Sequence, residues 1–211
     1  MLELLVVISI TSVLAALFFP VFASAKIAAK GAACLGNLHQ IEVATALYEG
    51  DADGRLPYAV AAQTKKYASF APSRERGPLF KAALQLPRVE ELLAIYGADG
   101  TVWHCSVDQV EPIFLAENDV LPGALQWQQT YYATVGSSYD FDDVTAILRG
   151  GIEPDSQSDQ VVFCDYGAVH GPKNLKHSGD RNLLLGDGHV SLDTRGQWGS
   201  NFAPISTFDW Q

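Results

Sequence analysis

Leu4 to Ala25 reads LLVVISITSVLAALFFPVFASA, 22 residues without one charged side chain. A helix of that length is about 33 Å long, enough to cross the roughly 30 Å hydrocarbon core of a bilayer. A cleaved secretory signal carries a basic segment ahead of its apolar run. Here the acidic Glu3 stands directly ahead of it, which favours a retained helix. Pro20 lies inside the run. It lacks a backbone N–H and crowds the carbonyl four residues earlier, so a kink or a local melting of the helix is expected there.

The helical pattern does not stop at Lys26. Ile27, Cys34, Leu38, Ile41, Thr45 and Tyr48 recur at steps of three, four and seven, which places them on one helical face. Lys30, Asn37, Gln40 and Glu49 fall elsewhere. Gly50-Asp51-Ala52-Asp53-Gly54 then ends the helix. One helix from about Leu2 to Glu49 would be roughly 70 Å long, far more than a soluble globule of this size needs. Its first half suits lipid and its second half suits packing on a domain.

The rest of the chain has a different character. The 211 residues are 48% apolar and 18% charged, enough apolar material for a core and too much for disorder. Fourteen basic residues against 24 acidic ones give a net charge of -10, which disfavours nucleic acid as a partner. The acid is concentrated: from Asp99 to Asp165 there are twelve acidic residues and one basic one, Arg149. An uncharged start and an acidic remainder divide the chain into three parts. These are a transmembrane half-helix at 1–25, an amphipathic half at 26–50 and a globular head at 51–211.

Glu3 is costly at the edge of an apolar helix unless a cation compensates it. The run ELLVVISITSVLAALFFP, Glu3 to Pro20, followed by CLGNLHQI, Cys34 to Ile41, resembles the N-terminal, methylation-type segment of type IV pilin-like proteins and type II secretion pseudopilins. That resemblance implies an inner-membrane anchor that becomes the core of a helical filament on assembly. It implies that Glu3 meets the N-terminal amine of a neighbouring subunit, and that Pro20 marks where the helix loosens. The partners it implies are copies of this chain, a prepilin peptidase and inner-membrane assembly machinery. The location it implies is the bacterial inner membrane before assembly and a periplasmic or extracellular filament afterwards.

In the head, Leu79 to Gly97 reads as one or two short helices, with Pro87 suited to a first turn. Thr101–Cys105, Tyr131–Val135 and Val161–Cys164 read as strands. Arg181–Leu185 and His189–Leu192 read as a hairpin around Gly186-Asp187-Gly188. The expected fold is therefore α+β, a long N-terminal helix packed on a small antiparallel sheet. His177, nine residues ahead of Asp187-Gly188, completes a resemblance to the H-x9-DG C-terminal signature of many large bacterial pilin-like proteins. Trp103-His104-Cys105-Ser106-Val107-Asp108 looks like their internal Cys-Pro-Ser segment, with Ser106 in place of proline.

Two acidic clusters are candidates for calcium. Asp51 and Asp53 have the alternating spacing of a calcium loop without its remainder, and Asp140, Asp142 and Asp143 form a second oxygen-rich spot. A solvated acidic loop is the simpler reading of each, and no cofactor is required. His170, His177, Asp187 and His189 are zinc-capable, but no H-E-x-x-H or C-x-x-C accompanies them. Asp187 is expected to bond its own turn. Of the three cysteines, Cys105 and Cys164 both lie in the head and form the expected disulfide if it is exported, leaving Cys34 reduced on the helix. The function expected is that of a structural filament subunit without enzymatic activity. The competing reading is a membrane-anchored extracytoplasmic binding or metal-dependent module.

Overall fold

The computed structural model describes residues 2–70, 78–108, 130–143, 145–149, 159–165 and 181–193. Helix α1 runs from Leu2 to Asp51 without a break. At 1.5 Å per residue it is about 75 Å long. It passes through Pro20 without leaving helical conformation, so the expected local melting is absent. At its end Asp53 and Gly54 both take left-handed backbone conformations, φ 55° and 73°. This reverses the chain and lets Gly54 N–H donate to the Glu49 carbonyl at 2.8 Å, which satisfies one of the orphaned C-terminal acceptors.

Three short helices follow: α2 at Ala62–Phe70, α3 at Pro78–Ala83 and α4 at Val89–Leu93, the last extended by a 3₁₀ turn at Ala94–Tyr96. Pro87 stands just outside α4, ahead of the N-cap Arg88 rather than in the first turn. Its carbonyl accepts from Val60 N–H at 3.0 Å, and the Val60 carbonyl accepts from Val89 N–H at 3.0 Å.

The sheet has four antiparallel strands in the order β1-β2-β3-β4, namely Tyr139–Phe141, Val161–Asp165, Arg181–Leu185 and Val190–Asp193. The last three match the strands read from sequence. β1 was read as part of an acidic loop. Phe163 pairs with Leu184 and Phe141 with Phe163, so these three face the same way. They enclose, with Cys34, Leu38, Ile41, Trp103 and Val162, the main core between α1 and the sheet. The β2–β3 register shifts between Val161 and Phe163. The shift turns Val162 into that core as well, while Val161, Cys164, Leu183 and Leu185 form a second buried cluster. A long apolar helix on a small, unclosed antiparallel sheet is the pilin-like arrangement expected from the sequence.

Two expected strands are helical, one for its caps and the other for a buried indole. Tyr131–Val135 is helix α5. The Thr130 hydroxyl accepts from Ala133 N–H, and Gly136 closes the helix at φ 89°. Asp108 accepts from the amides of Tyr131 and Tyr132 at 3.2 and 2.8 Å and from the Ser138 hydroxyl at 2.7 Å. Thr101–Cys105 is replaced by a 3₁₀ turn at Gly100–Trp103. This turn buries the Trp103 indole and aims its N–H at the Ala98 carbonyl, 2.8 Å away.

The disulfide differs from the expected one. Cys34 is bonded to Cys105, and Cys164 is the buried free thiol. The reason is facial. Cys34 lies on the α1 face that also carries Leu38 and Ile41, all three fully buried against the head. The chain leaving Trp103 passes over that face: Asn37 Nδ2 donates to the His104 carbonyl at 2.9 Å. Cys164 instead sits on the far side of the sheet, in the cluster with Val161, Leu183 and Leu185.

The pairing closes a loop across a sequence separation of 71 residues. Reduction is expected to cost about 2–4 kcal/mol. Denaturant midpoints of the full chain in detergent, with and without reductant, measure that cost. Non-reducing peptide mapping is expected to recover the Cys34 and Cys105 peptides linked. Burial raises the Cys164 thiol well above its ordinary pKa, so Cys164 is expected to resist alkylation until the head unfolds.

Candidate functional site

Among the described residues, the first half of α1 is the largest chemical anomaly. Thirteen large apolar side chains between Leu4 and Phe22 are exposed, among them Leu17, Phe18, Phe19 and Phe22 at 65–74%. Covering such a side chain is worth about 1.5–3 kcal/mol each. The sum exceeds the roughly 5–15 kcal/mol by which a typical domain is stable. The surface therefore calls for an apolar surrounding. The helix is long and apolar enough to cross a membrane.

Its polar groups are already satisfied without water. The Ser9 hydroxyl bonds the Leu5 and Val6 carbonyls at 2.9 and 2.8 Å, and Thr11 bonds those of Val7 and Ile8 at 3.0 and 3.1 Å. Ser12 bonds the Ser9 carbonyl at 2.8 Å, and Ser24 the Pro20 carbonyl at 3.1 Å. Internal satisfaction of this kind is what a hydrocarbon environment demands. Glu3 is exposed at the start of the helix, where a negative charge suits the helix dipole.

On the head, the hairpin signature is only partly within the described residues; His177 lies outside them, as does His170. Asp187 bonds its own turn, as expected. Its Oδ1 accepts from the His189 amide at 3.1 Å and lies 2.6 Å from His189 Nδ1. The amide and the ring together lower the Asp187 pKa below the usual carboxylate value. Gly188 has φ 86°, and a Cβ there would lie 3.0 Å from Glu42 Oε1. The conformation therefore selects glycine, while the Glu42 carboxylate end could shift to make room. A groove of about 210 Å³ separates this turn from α1, lined by Glu42, Thr45, Glu49, Leu184, Asp187 and Gly188. Partial burial, and then the neighbouring Glu42, raise the Glu49 pKa.

Comparison of the chain with protein-family models, with curated proteins and with solved structures gives no match.

The two acidic clusters are committed to the fold. The Asp51 carboxylate accepts from the Tyr96 hydroxyl at 3.2 Å, and Asp53 turns the chain out of α1. Asp140, Asp142 and Asp143 are buried, not solvated. Asp143 accepts from the Ala61 amide at 3.2 Å and the Thr64 hydroxyl at 2.5 Å, tying α2 to the sheet. Asp142 accepts from Thr145 N–H at 3.1 Å and Gln160 Nε2 at 2.7 Å. Asp140 accepts from Phe141 N–H at 3.0 Å. Among the described residues no three of His, Cys, Asp or Glu are grouped to hold a metal ion.

Sequence reasoning missed Arg88 and Glu90. Arg88 Nε is 3.2 Å from Glu90 Oε2, and its Nη2 donates to the Val135 carbonyl at 3.1 Å. A Cβ on Gly136 would lie 2.9 Å from the same guanidinium. Nothing in the spacing of these residues marked them; tertiary packing alone brings Arg88 to the end of α5.

Burial raises the Asp140 pKa well above the ordinary 3.8, helped by Asp143 and Glu90 and opposed by the Phe141 amide and by Arg181. Glu90 is raised for the same first reason, burial, against the pull of Arg88. An acid raised in the folded state favours folding fully below its unfolded pKa. That contribution is lost as pH climbs from about 4 through the folded value. Asp140→Asn keeps the acceptor oxygen and removes the charge. It is expected to stabilise the head by about 1–2 kcal/mol at pH 7 and to flatten the fall in stability above pH 4. Denaturation midpoints between pH 4 and 8 test this; an Asn variant less stable at pH 7 would refute the destabilising effect of the buried charge.

Proposed function

We propose that the chain is a structural subunit of a type IV pilus-like or type II secretion pseudopilus filament, assembled through α1. The observation that carries this reading is the juxtaposition of two halves of one helix. Residues 34–48 are seated in a head, while residues 4–22 are uncovered, apolar and internally satisfied. A helix of this kind can rest in a bilayer as a monomer and pack on copies of itself as a polymer. The Cys34–Cys105 bond supports an exported head, since disulfides persist in oxidising compartments. The resemblances at Glu3–Pro20 and Cys34–Ile41 point the same way.

On this reading no reaction is assigned to the chain, and no metal or other cofactor is required. The subunit would begin in the inner membrane, with a prepilin peptidase and the assembly machinery as its transient partners. It would end in a periplasmic or extracellular filament. Pro20 leaves the Ala16 carbonyl without its helical donor, which marks the weakest turn of the apolar half on leaving lipid. Glu3 would be buried in the filament core, where its partner is an α-amine, because the apolar run offers no basic side chain.

Glu3→Gln is expected to spare membrane insertion and head folding and to reduce assembly sharply. Breaking a buried ion pair costs about 3–5 kcal/mol. Electron microscopy and sedimentation of wild type and variant, against equal amounts of membrane-fraction subunit, measure the difference. Filament yields that match would leave Glu3 as a marker of the membrane boundary and no more.

A further inference from the structure

The two lysines of α1 stand where its uncharged run ends and the head begins. Lys26 directly follows Ala25, and Lys30 is one turn higher. Four residues apart on a helix, they share one side, with Cβ atoms about 6 Å apart. A further step of four reaches Cys34, so theirs is the side that the head covers higher up. Both lysines are exposed. Helical Cα–Cβ bonds tilt toward the N-terminus, which here is the direction of the apolar run. The Ser106 hydroxyl donates to the Lys30 carbonyl at 3.4 Å. The head therefore comes down to the helix at the level of Lys30, and the two ammonium groups lie beneath it.

In a chain of net charge -10 this pair is not neutralised locally. Neither lysine has an acidic partner among the described residues. The next acid along α1 is Glu42, 12 residues above Lys30, or about 18 Å of helix. That is about twice the screening length of roughly 8 Å at physiological salt. Asp108, two residues beyond Ser106, is committed to the amides of Tyr131 and Tyr132 and to the Ser138 hydroxyl.

The position along the helix identifies the missing anion. The headgroup layer adds about 5–7 Å outside each face of the hydrocarbon core. With residues 4–25 in hydrocarbon, Lys26 stands at the inner edge of that layer. Lys30, about 6 Å higher, stands at its outer edge. We propose that Lys26 and Lys30 together bind the phosphate of an anionic phospholipid in the leaflet beneath the head. The inference rests on the membrane-resident helix of the reading above and adds a lipid partner to it. One phosphate fits between ammonium groups on adjacent turns, and the lysine stems stay along the apolar helix while their ends reach it. The contact also fixes depth: Cys34, where the head is bonded to the rod, is held about 12 Å above Lys26.

Lipid competition on the full chain tests this. In micelles carrying equal amounts of phosphatidylglycerol and phosphatidylcholine, native mass spectrometry is expected to find phosphatidylglycerol retained about thirtyfold over phosphatidylcholine, or about fivefold per lysine. Lys26→Gln with Lys30→Gln is expected to bring that ratio close to one, and Lys26→Arg with Lys30→Arg to keep it. The thermal unfolding of the head is expected to be unchanged in both. A large excess of inorganic phosphate is expected to leave the bound lipid in place. Displacement by phosphate would mean a site for the free anion and would overturn the proposal. So would equal retention of the two lipids by the unaltered chain, or an undiminished preference in the glutamine variant. Failure of the unaltered chain to float with vesicles of the same two lipids would overturn the membrane reading itself.

Discussion

The seating of Leu38 and Ile41 on Phe141, Phe163 and Leu184 is the contact on which the head depends. Four strands of three to five residues make too small a sheet to stand alone. They become a folded layer only because a helix supplies the other side of the core. That helix is in turn held in helical form along its C-terminal half by the burial of this face, since that half carries three glycines, Gly31, Gly36 and Gly50. Helix and sheet therefore fold as one unit, and the apolar half of α1 projects from it as an extension of an already rigid rod.

Much of this was legible in the sequence because it follows from periodicity. The face of Cys34, Leu38, Ile41 and Thr45 is buried as its spacing required, and the end of α1 falls at the acidic glycine turn. Ile27 had the same spacing and is 68% exposed. Periodicity names a face but not how far along it the partner extends. The Asp-Gly hairpin was equally local: a turn that needs φ above zero has few residues to choose from. Two short apolar stretches, Thr101–Cys105 and Tyr131–Val135, were misread because five residues cannot separate strand from helix by pattern. The decisive marks for the second were its flanks, Thr130 and Gly136, which are cap residues.

What stayed hidden was tertiary. The acidic stretch around Asp140 reads as a solvated loop by composition, yet each carboxylate has its donors, Phe141 for Asp140, Thr145 for Asp142, and Ala61 and Thr64 for Asp143. The cysteine pairing followed segment boundaries in the sequence and the facing of side chains in the structure. A thiol on the buried stripe of a helix is presented to whatever covers that stripe, and here that is the stretch following Trp103. Facing, and not membership of a domain, decides which thiols meet.

The Cys34–Cys105 bond also changes how the molecule carries mechanical force. Without it, the head would hold the helix by the backbone at its C-terminal end and by side-chain packing, which yields one contact at a time when pulled along the helix axis. With it, tension applied to the head enters α1 at a covalent point about two-thirds of the way along the rod. The 71-residue span between the two sulfurs is taken out of the path of the force. The packed core beneath then has to resist only rotation about that point, while sliding along the rod is blocked by the bond itself.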